Sequence, residues 1–260
     1  MQNGPSIIAV TNQKGGVGKT TTTVNLATAL AASRRRVLVI DSDPQGNAST
    51  GLGIDKDDRA DDLYALLAGE TSLEKAIRPS MVANLSVIPA SPALSAAEVE
   101  LAGLDRREFR LREVIASITT PFDYIFIDCP PSLGLLTVNA LTAAEETLVP
   151  LQCEYYALEG LSQLITTIDG VRSGLNPGLV IKGVVLTMYD GRNRLSQMVA
   201  SDVRDHLGGL VYQTVIPRNV RVSEAPSYGK PVLLYDLECQ GSKAYIALAG
   251  EVIKQEKVAA

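Results

Sequence analysis

The sequence predicts a three-layer α/β fold, in which a mostly parallel, twisted sheet of about seven or eight strands carries helices on both faces. Two observations support this prediction. Short runs rich in β-branched residues alternate with longer segments of helical period, as in a parallel sheet with crossover helices. The chain also has 260 residues, 46% of them apolar, which is enough to bury a full core. We therefore expect one domain over residues 1–260, with a short N-terminal tail at 1–5.

Taken in order, the β-branched runs predict strands at 6–11, 36–41, 85–90, 124–129, 146–151, 181–187 and 210–216. The segments between them repeat their apolar residues with a helical period. The predicted helices lie at 19–32, 60–68, 93–102, 107–118, 134–143, 158–173, 194–207 and 241–256. No internal repeat, low-complexity tract or linker interrupts this alternation, so we expect no domain boundary.

Composition restricts the class of protein. The net charge of −5 argues against general adhesion to nucleic acid, although a local basic patch remains open. Three cysteines, Cys129, Cys153 and Cys239, form no C-x-x-C pair, which favours a reducing compartment. The start MQNGPSIIAV lacks the basic and apolar parts of a signal peptide, and no apolar run reaches the roughly 18 residues that span a bilayer. We expect a cytoplasmic protein with no stable membrane insertion.

The stretch TNQKGGVGKTTTT, at 11–23, joins the first predicted strand to the first predicted helix. A glycine-rich turn there surrounds one point with backbone N–H groups and the positive end of a helix dipole, which suits a polyphosphate. Lys19 would reach the β- and γ-phosphates, and the Thr20 hydroxyl would coordinate Mg²⁺. The loop departs from the pattern G-x-x-x-x-G-K-[ST] at Gln13 and carries a second lysine, Lys14. The nucleotide-binding residues predicted from the motif are Gly15, Gly16, Val17, Gly18, Lys19, Thr20 and Thr21.

Three carboxylates follow predicted strands. VLVIDSDPQGN places Asp41 and Asp43 after the second strand, and YIFIDCPPS places Asp128 after the fourth. Ligands of open parallel sheets bind beyond the carboxyl ends of the strands, so all three side chains can face the phosphates. An apolar strand followed by aspartate is the Walker B arrangement, which makes Asp128 the predicted Mg²⁺ partner through water. Asp43 precedes Pro44, and on spacing alone a simple turn former is an equal alternative.

Five segments resemble the deviant Walker A ATPases of the ParA/Soj chromosome-partitioning type: KGGVGKTT, DSDPQGN, IDCPPSLG, PLQCEYYALEGL and VIPRNVRVSEAPSYGKP. The first three are shared with MinD-like and nitrogenase iron-protein-like members of the same P-loop NTPase superfamily, whereas the last two resemble ParA/Soj in particular. The resemblance implies a Mg²⁺-dependent ATP hydrolase whose ATP-bound homodimer binds nonspecific double-stranded DNA. It further implies stimulation by a ParB-type centromere-binding partner, chromosome or plasmid segregation, and association with the nucleoid when ATP is bound.

The resemblance also assigns roles within the nucleotide site. It implies that Lys14 crosses the dimer interface to the phosphates of the other subunit, with Gly15 where the two subunits approach closely. Lys14, Lys19 and Asp43 are thereby the predicted catalytic residues, and Asp43 would orient or activate the attacking water. Asp41 would support the shell around Mg²⁺ and phosphate. The predicted metal residues are Thr20, Asp41 and Asp128.

Further residues match the family by position. Pro217 and Asn219 in IPRN match residues that contact adenine in relatives, and an ordinary turn after a strand is the alternative for both. The segment at 45–47, Gln-Gly-Asn, is similar to a switch that reports the γ-phosphate. Glu154 and Tyr155 are candidates for a second switch, although core packing explains Tyr155 equally well.

The resemblance places a DNA-binding face in the C-terminal third of the chain. Its basic residues are Arg192 and Arg194 in TMYDGRNRLSQ, and Arg218, Arg221 and Lys230 in IPRNVRVSEAPSYGK. A solvated polar surface is the alternative for any one of them. With about three phosphate contacts per subunit a monomer would bind weakly, whereas a dimer would present about six. Dimerisation would thus control DNA binding, through backbone phosphates, because no base-reading helix is evident.

Two other functions stay open. A MinD-like ATPase on a membrane surface would need a basic amphipathic tail, whereas the apolar stripe in AYIALAGEVIKQEKVAA is predicted to pack on the sheet. Liposome co-sedimentation with ATP distinguishes the two. The other alternative is a nucleotide-binding regulator with little turnover, against which the presence of both Asp43 and Asp128 argues. The residues of the stripe are Tyr245, Ile246, Leu248, Ala249, Val252 and Ile253.

Other chemistries have little support. The chain has one histidine, His206, predicted on a helix surface in SDVRDHLGG, which argues against a Ser-His-Asp hydrolase and a histidine-rich metal site. An iron–sulfur cluster shared by a dimer would need two suitably placed cysteines per chain. Cys129, inside the Walker B segment, and Cys153, next to a strand end, are predicted to be small buried residues instead.

Overall fold

The protein is seen in a computed structural model that describes residues 4–259, so residues 1–3 of the predicted tail lie outside the described residues. The strands are β1 Ser6–Val10, β2 Val37–Asp41, β3 Arg78–Pro79, β4 Leu85–Ile88, β5 Tyr124–Asp128, β6 Glu146–Gln152 and β7 Val180–Thr187. They form one sheet in the order β3-β4-β2-β5-β1-β6-β7. Adjacent strands are parallel except for β3 and β4, which are antiparallel.

The longer helices agree with the predicted segments. The helices are α1 Lys19–Ala32, α2 Asn47–Gly51, α3 Leu63–Ala68, α4 Leu73–Ala76, α5 Leu94–Glu100, α6 Arg110–Ala116, α7 Leu135–Ala143, α8 Ala157–Gly174, α9 Arg194–Leu207, α10 Val220–Glu224, α11 Val232–Tyr235 and α12 Gln240–Ala259. Helices α2, α4, α10 and α11 were not predicted, because four or five residues make little more than one turn and show no period.

The sheet separates two apolar cores, because successive residues of a strand point to opposite faces. In β5, Ile125 and Ile127 enter one core, while Tyr124 and Phe126 enter the other. The first core is covered by helices α3 to α9, and the second by α1, α2, α11 and α12. This arrangement confirms the predicted three-layer α/β class.

The strand order brings the predicted site residues to one edge of the sheet. β1 lies between β5 and β6, and β2 lies on the far side of β5. In the register, Val10 and Asp41 are both partners of Asp128. The chain segments that follow β1, β2 and β5 therefore leave the sheet side by side, at the carboxyl edge where ligands of open α/β sheets bind.

The predicted strand at 210–216 is wrong. Gly208–Leu210 form a 3-10 turn, and the segment that follows meets β7 in an isolated bridge rather than a ladder. The backbone amides of Gln213 and Thr214 donate instead to the Glu251 carboxylate of α12, at 2.9 and 2.7 Å. Because a side chain uses these donors, they cannot continue a ladder. The edge strand β3 was not predicted, since two residues carry no alternation.

The C-terminal helix α12 packs against α1. Tyr245, Leu248, Ala249 and Val252 are buried, as the apolar stripe predicts. The prediction is wrong for Ile246, which is 46% exposed because it lies beside the stripe rather than within it. None of the helices within residues 4–259 is long and apolar enough to cross a membrane.

Gly183 of β7 allows the 210–216 segment to approach the sheet edge. A Cβ at this position would lie 2.5 Å from a ring carbon of Tyr212 and 3.0 Å from the carbonyl oxygen of Leu210. We expect Gly183→Ala to lower the free energy of unfolding by about 1–3 kcal/mol, because the buried Tyr212 ring must move. Urea unfolding measures the change. Gly170→Ala is the control, since residue 170 is exposed on α8 and a Cβ there would meet nothing within 4 Å. A Gly183→Ala protein as stable as wild type would contradict the prediction.

Candidate functional site

Glycines shape the loop between β1 and α1. Gly16 and Gly18 have φ angles of +76° and +93°, in the left-handed region that favours glycine. Gly18 is the N-cap of α1 and no side chain caps the helix, so the N–H groups of its first turn can serve an anion. A Cβ at Gly15 would meet nothing within 4 Å. Contacts within the subunit therefore do not require glycine at that position.

Two buried polar side chains fix the loop to the sheet. Asn12 donates through Nδ2 to the carbonyl of Pro150 at 2.8 Å and accepts at Oδ1 from the amide of Lys14 at 3.0 Å. Thr187 Oγ1 donates to the carbonyl of Val17 at 2.8 Å. Sequence reasoning missed both anchors, and the available signal was a polar residue at the end of an apolar strand. Strands β6 and β7 thus help to set the loop conformation.

The two lysines of the loop occupy different surroundings. Lys19 is only 6% exposed, and its Nζ donates to the carbonyl of Lys14 at 3.1 Å. Burial lowers the pKa of Lys19, and the nearby Asp128 opposes that shift. The Lys14 side chain is 44% exposed and forms an ion pair with Glu154 of the same subunit. Lys19 therefore serves the interior of the site, whereas Lys14 lies at its surface.

The three predicted carboxylates meet at this edge. Asp41 and Asp128 are fully buried register partners at the ends of β2 and β5, and Asp43 is also buried. Asp41 Oδ2 accepts hydrogen bonds from the amide and hydroxyl of Ser49, at 2.8 and 2.6 Å. Thr23 Oγ1 of α1 donates to Asp128 Oδ1 at 2.9 Å. The helix that follows the loop is thus joined directly to the end of β5.

The second carboxylate oxygen of Asp128 fits a cation. Oδ2 is buried and has no hydrogen-bond partner within residues 4–259. Burial raises the pKa of this carboxyl and the Asp41 carboxylate raises it further, whereas the nearby hydroxyls of Thr20 and Thr23 lower it. A divalent cation or its bound water would give Oδ2 a partner and favour the ionised form. Asp41 is already engaged by Ser49, so its position suits the supporting role that was predicted.

A cavity of about 400 Å³ opens beside the start of α1. It lies between α1, α2 and the segment at 225–230, and the hydroxyl-bearing residues Thr20 and Thr21 line it. Asn25 also lines it, and Asn25 Oδ1 accepts from the amide of Val232 at 2.7 Å, which ties α11 to α1. The first turn of α1 therefore faces space that can admit a polar ligand.

Asp43 forms a turn as well as facing the site. Its Oδ1 accepts from the amide of Gln45 at 3.0 Å, and its carbonyl accepts from the amide of Gly46 at 2.8 Å. Gly46 is left-handed, with φ of +63°, and α2 begins at Asn47. The turn-forming alternative is therefore present in the structure. The role of Asp43 toward water stays a prediction, because the two roles are compatible.

The residues predicted to contact adenine lie between the segment at 210–216 and α10. Pro217 forms an isolated bridge with Tyr189. Asn219 is the N-cap of α10, where its Oδ1 accepts from the amide of Val222 at 3.3 Å. This cap gives Asn219 a structural role of its own. Contact of Pro217 and Asn219 with adenine stays a prediction.

The candidate second switch follows β6. Glu154 pairs with Lys14, a contact that sequence reasoning did not foresee. Tyr155 is 75% exposed and packs edge to face against Tyr156, with ring centroids 5.1 Å apart. The alternative that Tyr155 is a core residue is therefore wrong. Two exposed aromatic rings that follow Glu154 in the chain make this face suitable for a protein contact.

Two of the predicted DNA-binding arginines lie near Asp190, since Arg192 pairs with it and the amide of Arg218 donates to the carbonyl of the adjacent Tyr189 at 3.1 Å. Arg192 is exposed and forms a two-pronged pair with Asp190, at 3.1 and 3.2 Å. Arg218 is also exposed, and its charge helps to hold the pKa of Asp190 below its ordinary value, after the hydrogen bonds from Arg192. Arg194 is exposed at the first position of α9. These three arginines therefore lie in the same region of the surface.

The other two basic residues are placed differently. Arg221 of α10 pairs with Glu224 at 3.0 Å and with Asp236 at 3.4 Å. Lys230 lines the cavity beside α1 and α2, together with Thr20 and Thr21 rather than with the arginines. A single continuous basic face thus stays a prediction.

The predictions for the histidine and for two of the cysteines agree with the structure. His206 is exposed on α9, where Nδ1 contacts the carbonyl of Asp202 at 2.6 Å. Cys129 and Cys153 are buried, and burial raises the pKa of both thiols. These cysteines behave as small core residues.

Comparison with known proteins places the chain in a family. The family model described as "AAA domain" matches residues 5–181. The chain is 60% identical over 253 residues to the chromosome partitioning protein ParA of Caulobacter vibrioides, covering 96% of this chain and 95% of that protein. It is 53% identical over 246 residues to the sporulation initiation inhibitor protein Soj of Bacillus subtilis, covering 95% and 97%.

Solved structures show the same architecture. Cobyrinic acid a,c-diamide synthase from Mycobacterium smegmatis, with bound ADP and magnesium, has a TM-score of 0.86 and 36% identity, covering 98% of this chain and 97% of that one. The cell division ATPase MinD of Pyrococcus furiosus has a TM-score of 0.78 and 32% identity, covering 96% and 99%. Given the loop, the carboxylates and the full-length relatives, the chain belongs to the ParA/Soj family of chromosome-partitioning proteins.

Proposed function

We propose that the protein is a Mg²⁺-dependent ATP hydrolase whose ATP-bound homodimer binds nonspecific double-stranded DNA and segregates a chromosome or plasmid. A ParB-type centromere-binding partner stimulates hydrolysis, and the cytoplasmic protein joins the nucleoid when ATP is bound. The observation that carries the proposal is the meeting of Lys19, Asp41, Asp43 and Asp128 beside a left-handed glycine loop. The ParA relative and the neighbour crystallised with ADP and magnesium support it.

Each residue of the site has its own task in this proposal. The loop amides hold the phosphates, and Lys19 Nζ turns from the carbonyl of Lys14 to the β- and γ-phosphates. Thr20 and Asp128 would hold Mg²⁺, which would supply positive charge beside the phosphate oxygens. Asp43 orients the attacking water from the turn that it closes with Gln45 and Gly46.

Lys14 requires a second subunit. Within one subunit its ammonium pairs with Glu154 at a partly exposed site, and such a pair contributes about 1 kcal/mol or less. The phosphates held by the other subunit can therefore displace Glu154. Gly15, which no contact within the subunit requires, leaves room for that approach. Lys14 is a point charge without the fork of arginine, so we expect it to contribute to assembly as well as to chemistry.

DNA phosphates must likewise displace carboxylates. Arg192 is paired with Asp190, and Arg221 with Glu224 and Asp236. Exposed pairs of this kind are weak because water screens them, so a dense row of phosphates can replace them. A monomer with few contacts binds weakly, and a dimer that doubles their number binds far more tightly. The dimer is thus the form that stays on DNA.

Arg221→Glu is expected to cut DNA binding without affecting the dimer. The variant replaces a phosphate contact with a repulsive charge, and the loss of about one contact in each subunit also flattens the dependence of affinity on salt. DNA affinity is measured at several salt concentrations with ATP bound. Arg112→Glu, the same charge change at an exposed position of α6, is the control. If size-exclusion chromatography showed that Arg221→Glu had lost the dimer, Arg221 would belong to the interface instead.

A phosphate-release assay with ATP, DNA and the partner tests turnover itself. The proposal requires slow release by the protein alone and faster release when DNA and the partner are both present. A nucleotide-binding regulator would show no such increase. A MinD-like enzyme would bind liposomes with ATP, although the apolar stripe of α12 is mostly buried against α1.

A further inference from the structure

Arg59 is a buried arginine outside the predicted site. It is 5% exposed and follows the 3-10 turn Lys56–Asp58. Its Nη1 donates to the carbonyls of Gly46 and Ala90, at 3.1 and 3.0 Å. Its Nη2 donates to Thr50 Oγ1 at 2.8 Å and to the carbonyl of Ile54 at 2.7 Å. The four acceptors are neutral, and Nε is buried without a hydrogen-bond partner within residues 4–259, so these four bonds are what offsets the burial of the charge.

The acceptors of Arg59 belong to the segment that carries Asp43. The amide of Gly46 donates to the carbonyl of Asp43 and so closes the turn. The carbonyl of Gly46 accepts from the amide and the hydroxyl of Thr50, at 3.0 and 3.1 Å. Arg59 therefore contacts both ends of the stretch from the turn into α2. The guanidinium spans this stretch in one plane, which a lysine ammonium cannot do.

The backbone at Gly46 packs closely against the Arg59 guanidinium. Gly46 has a φ angle of +63°, and a Cβ there would lie 2.2 Å from Arg59 Nη1 and 2.7 Å from the carbonyl oxygen of Ala90. Left-handed backbone and lack of space thus both require glycine at this position. The contact is a close fit of the guanidinium to the backbone rather than an incidental surface bond.

A second anchor holds the same segment from the other side. Asp41 accepts two hydrogen bonds from Ser49, and Ser49 Oγ accepts from the amide of Ala90 at 3.0 Å. Ala90 therefore uses its amide for Ser49 and its carbonyl for Arg59. The segment at 43–50 is held between Asp41 and Arg59, and Ser49 and Arg59 each bind it to Ala90 in the chain after β4.

We propose that Arg59 is a positioning residue for hydrolysis, which acts through Gly46 and Thr50 to hold Asp43 where it orients the attacking water. Arg59 touches neither nucleotide nor water in this proposal. The role rests on the proposed ATP hydrolysis and on the role of Asp43 within it. It predicts that the rate of hydrolysis depends on Arg59 while ATP affinity does not, because Lys19 and the loop form the phosphate site without it.

The test compares Arg59→Lys and Thr50→Val with wild type. Thr50→Val removes one hydrogen-bond acceptor of Arg59, and it is the variant to measure if Arg59→Lys does not fold. Single-turnover hydrolysis and the Kd of a nonhydrolysable ATP analogue are measured, and amide hydrogen exchange of residues 43–53 is followed without nucleotide. Arg172→Lys is the control, since Arg172 also donates to a carbonyl, that of Leu179, at 2.6 Å but at a distance from the site.

We expect hydrolysis by Arg59→Lys to fall by about 10- to 100-fold, because small displacements of a catalytic group cost rates of that size. The Kd should change less than about threefold, exchange should rise only in 43–53, and Thr50→Val should show smaller effects of the same kind. A folded Arg59→Lys or Thr50→Val protein that hydrolyses at the wild-type rate overturns the proposal. A rise in amide hydrogen exchange across the whole chain, with a parallel loss of affinity for the ATP analogue, also overturns it. That result would indicate that Arg59 stabilises the whole fold rather than the turn.

The exchange measurement separates this proposal from the proposed function. If wild type failed to hydrolyse ATP even with DNA and partner, the proposed function would fail. Amide hydrogen exchange of the Arg59→Lys variant would then be the remaining test of whether Arg59 holds the turn. A rise in exchange confined to 43–53 would support that part of the proposal, and unchanged exchange would overturn it.

Discussion

Lys19→Ala is expected to abolish ATP binding at micromolar concentrations. The substitution removes the buried cation that faces the phosphates, and the loss of a desolvated charge partner raises the Kd by about 100-fold or more, which is about 2.7 kcal/mol. The fold should survive, because Lys19 Nζ makes a single hydrogen bond, to the carbonyl of Lys14. Isothermal titration calorimetry with ATP and Mg²⁺ measures the effect.

Lys56→Ala is the matched control for this experiment, since it makes the same chemical change at an exposed position. Circular dichroism of both variants confirms that they are folded. An ATP affinity of Lys19→Ala equal to that of wild type would show that the phosphates bind elsewhere.

Asp43→Ala is expected to trap the ATP-bound dimer on DNA. Without the carboxylate that orients water, hydrolysis should slow by about 10²- to 10⁴-fold, whereas ATP binding and dimer formation should persist. The variant keeps the backbone bond from the Gly46 amide to the carbonyl of residue 43 and loses the side-chain bond to Gln45. The turn should therefore remain. Phosphate release and co-sedimentation with DNA give the two readouts.

Asp57→Ala, at an exposed position, controls for the removal of a carboxylate. Rapid turnover by Asp43→Ala, with ordinary release from DNA, would rule out the catalytic role of Asp43 and leave only its turn-forming role.

The sequence was sufficient for those parts of the fold that depend on local pattern. Apolar strands followed by aspartate placed Asp41 and Asp128 at strand ends, and parallel pairing then made them neighbours. The segment at 210–216 has the same β-branched composition but was not a strand, because Glu251 of a distant helix accepts from two of its amides, those of Gln213 and Thr214. Composition cannot indicate which acceptor a backbone donor will find.

The site was predicted where a motif sets the chemistry and was missed where distant chain segments meet. The glycine loop and Lys19 follow from local sequence, whereas the ion pair between Lys14 and Glu154 joins residues from two separate βα units. Nothing in the sequence indicated that Arg59 is buried, since a lone arginine among charged residues is typical of the surface. Its burial depends on four acceptors that only the folded chain brings together.

The central claim is that ATP controls DNA binding through a dimer. The most direct test measures binding to a DNA of arbitrary sequence with no nucleotide, with ADP, with ATP and with a nonhydrolysable analogue. We expect tight binding with ATP and the analogue only, and a loss of affinity on the order of 10³ between low and moderately high salt, as for about six phosphate contacts. Equal binding under all four conditions would contradict the claim.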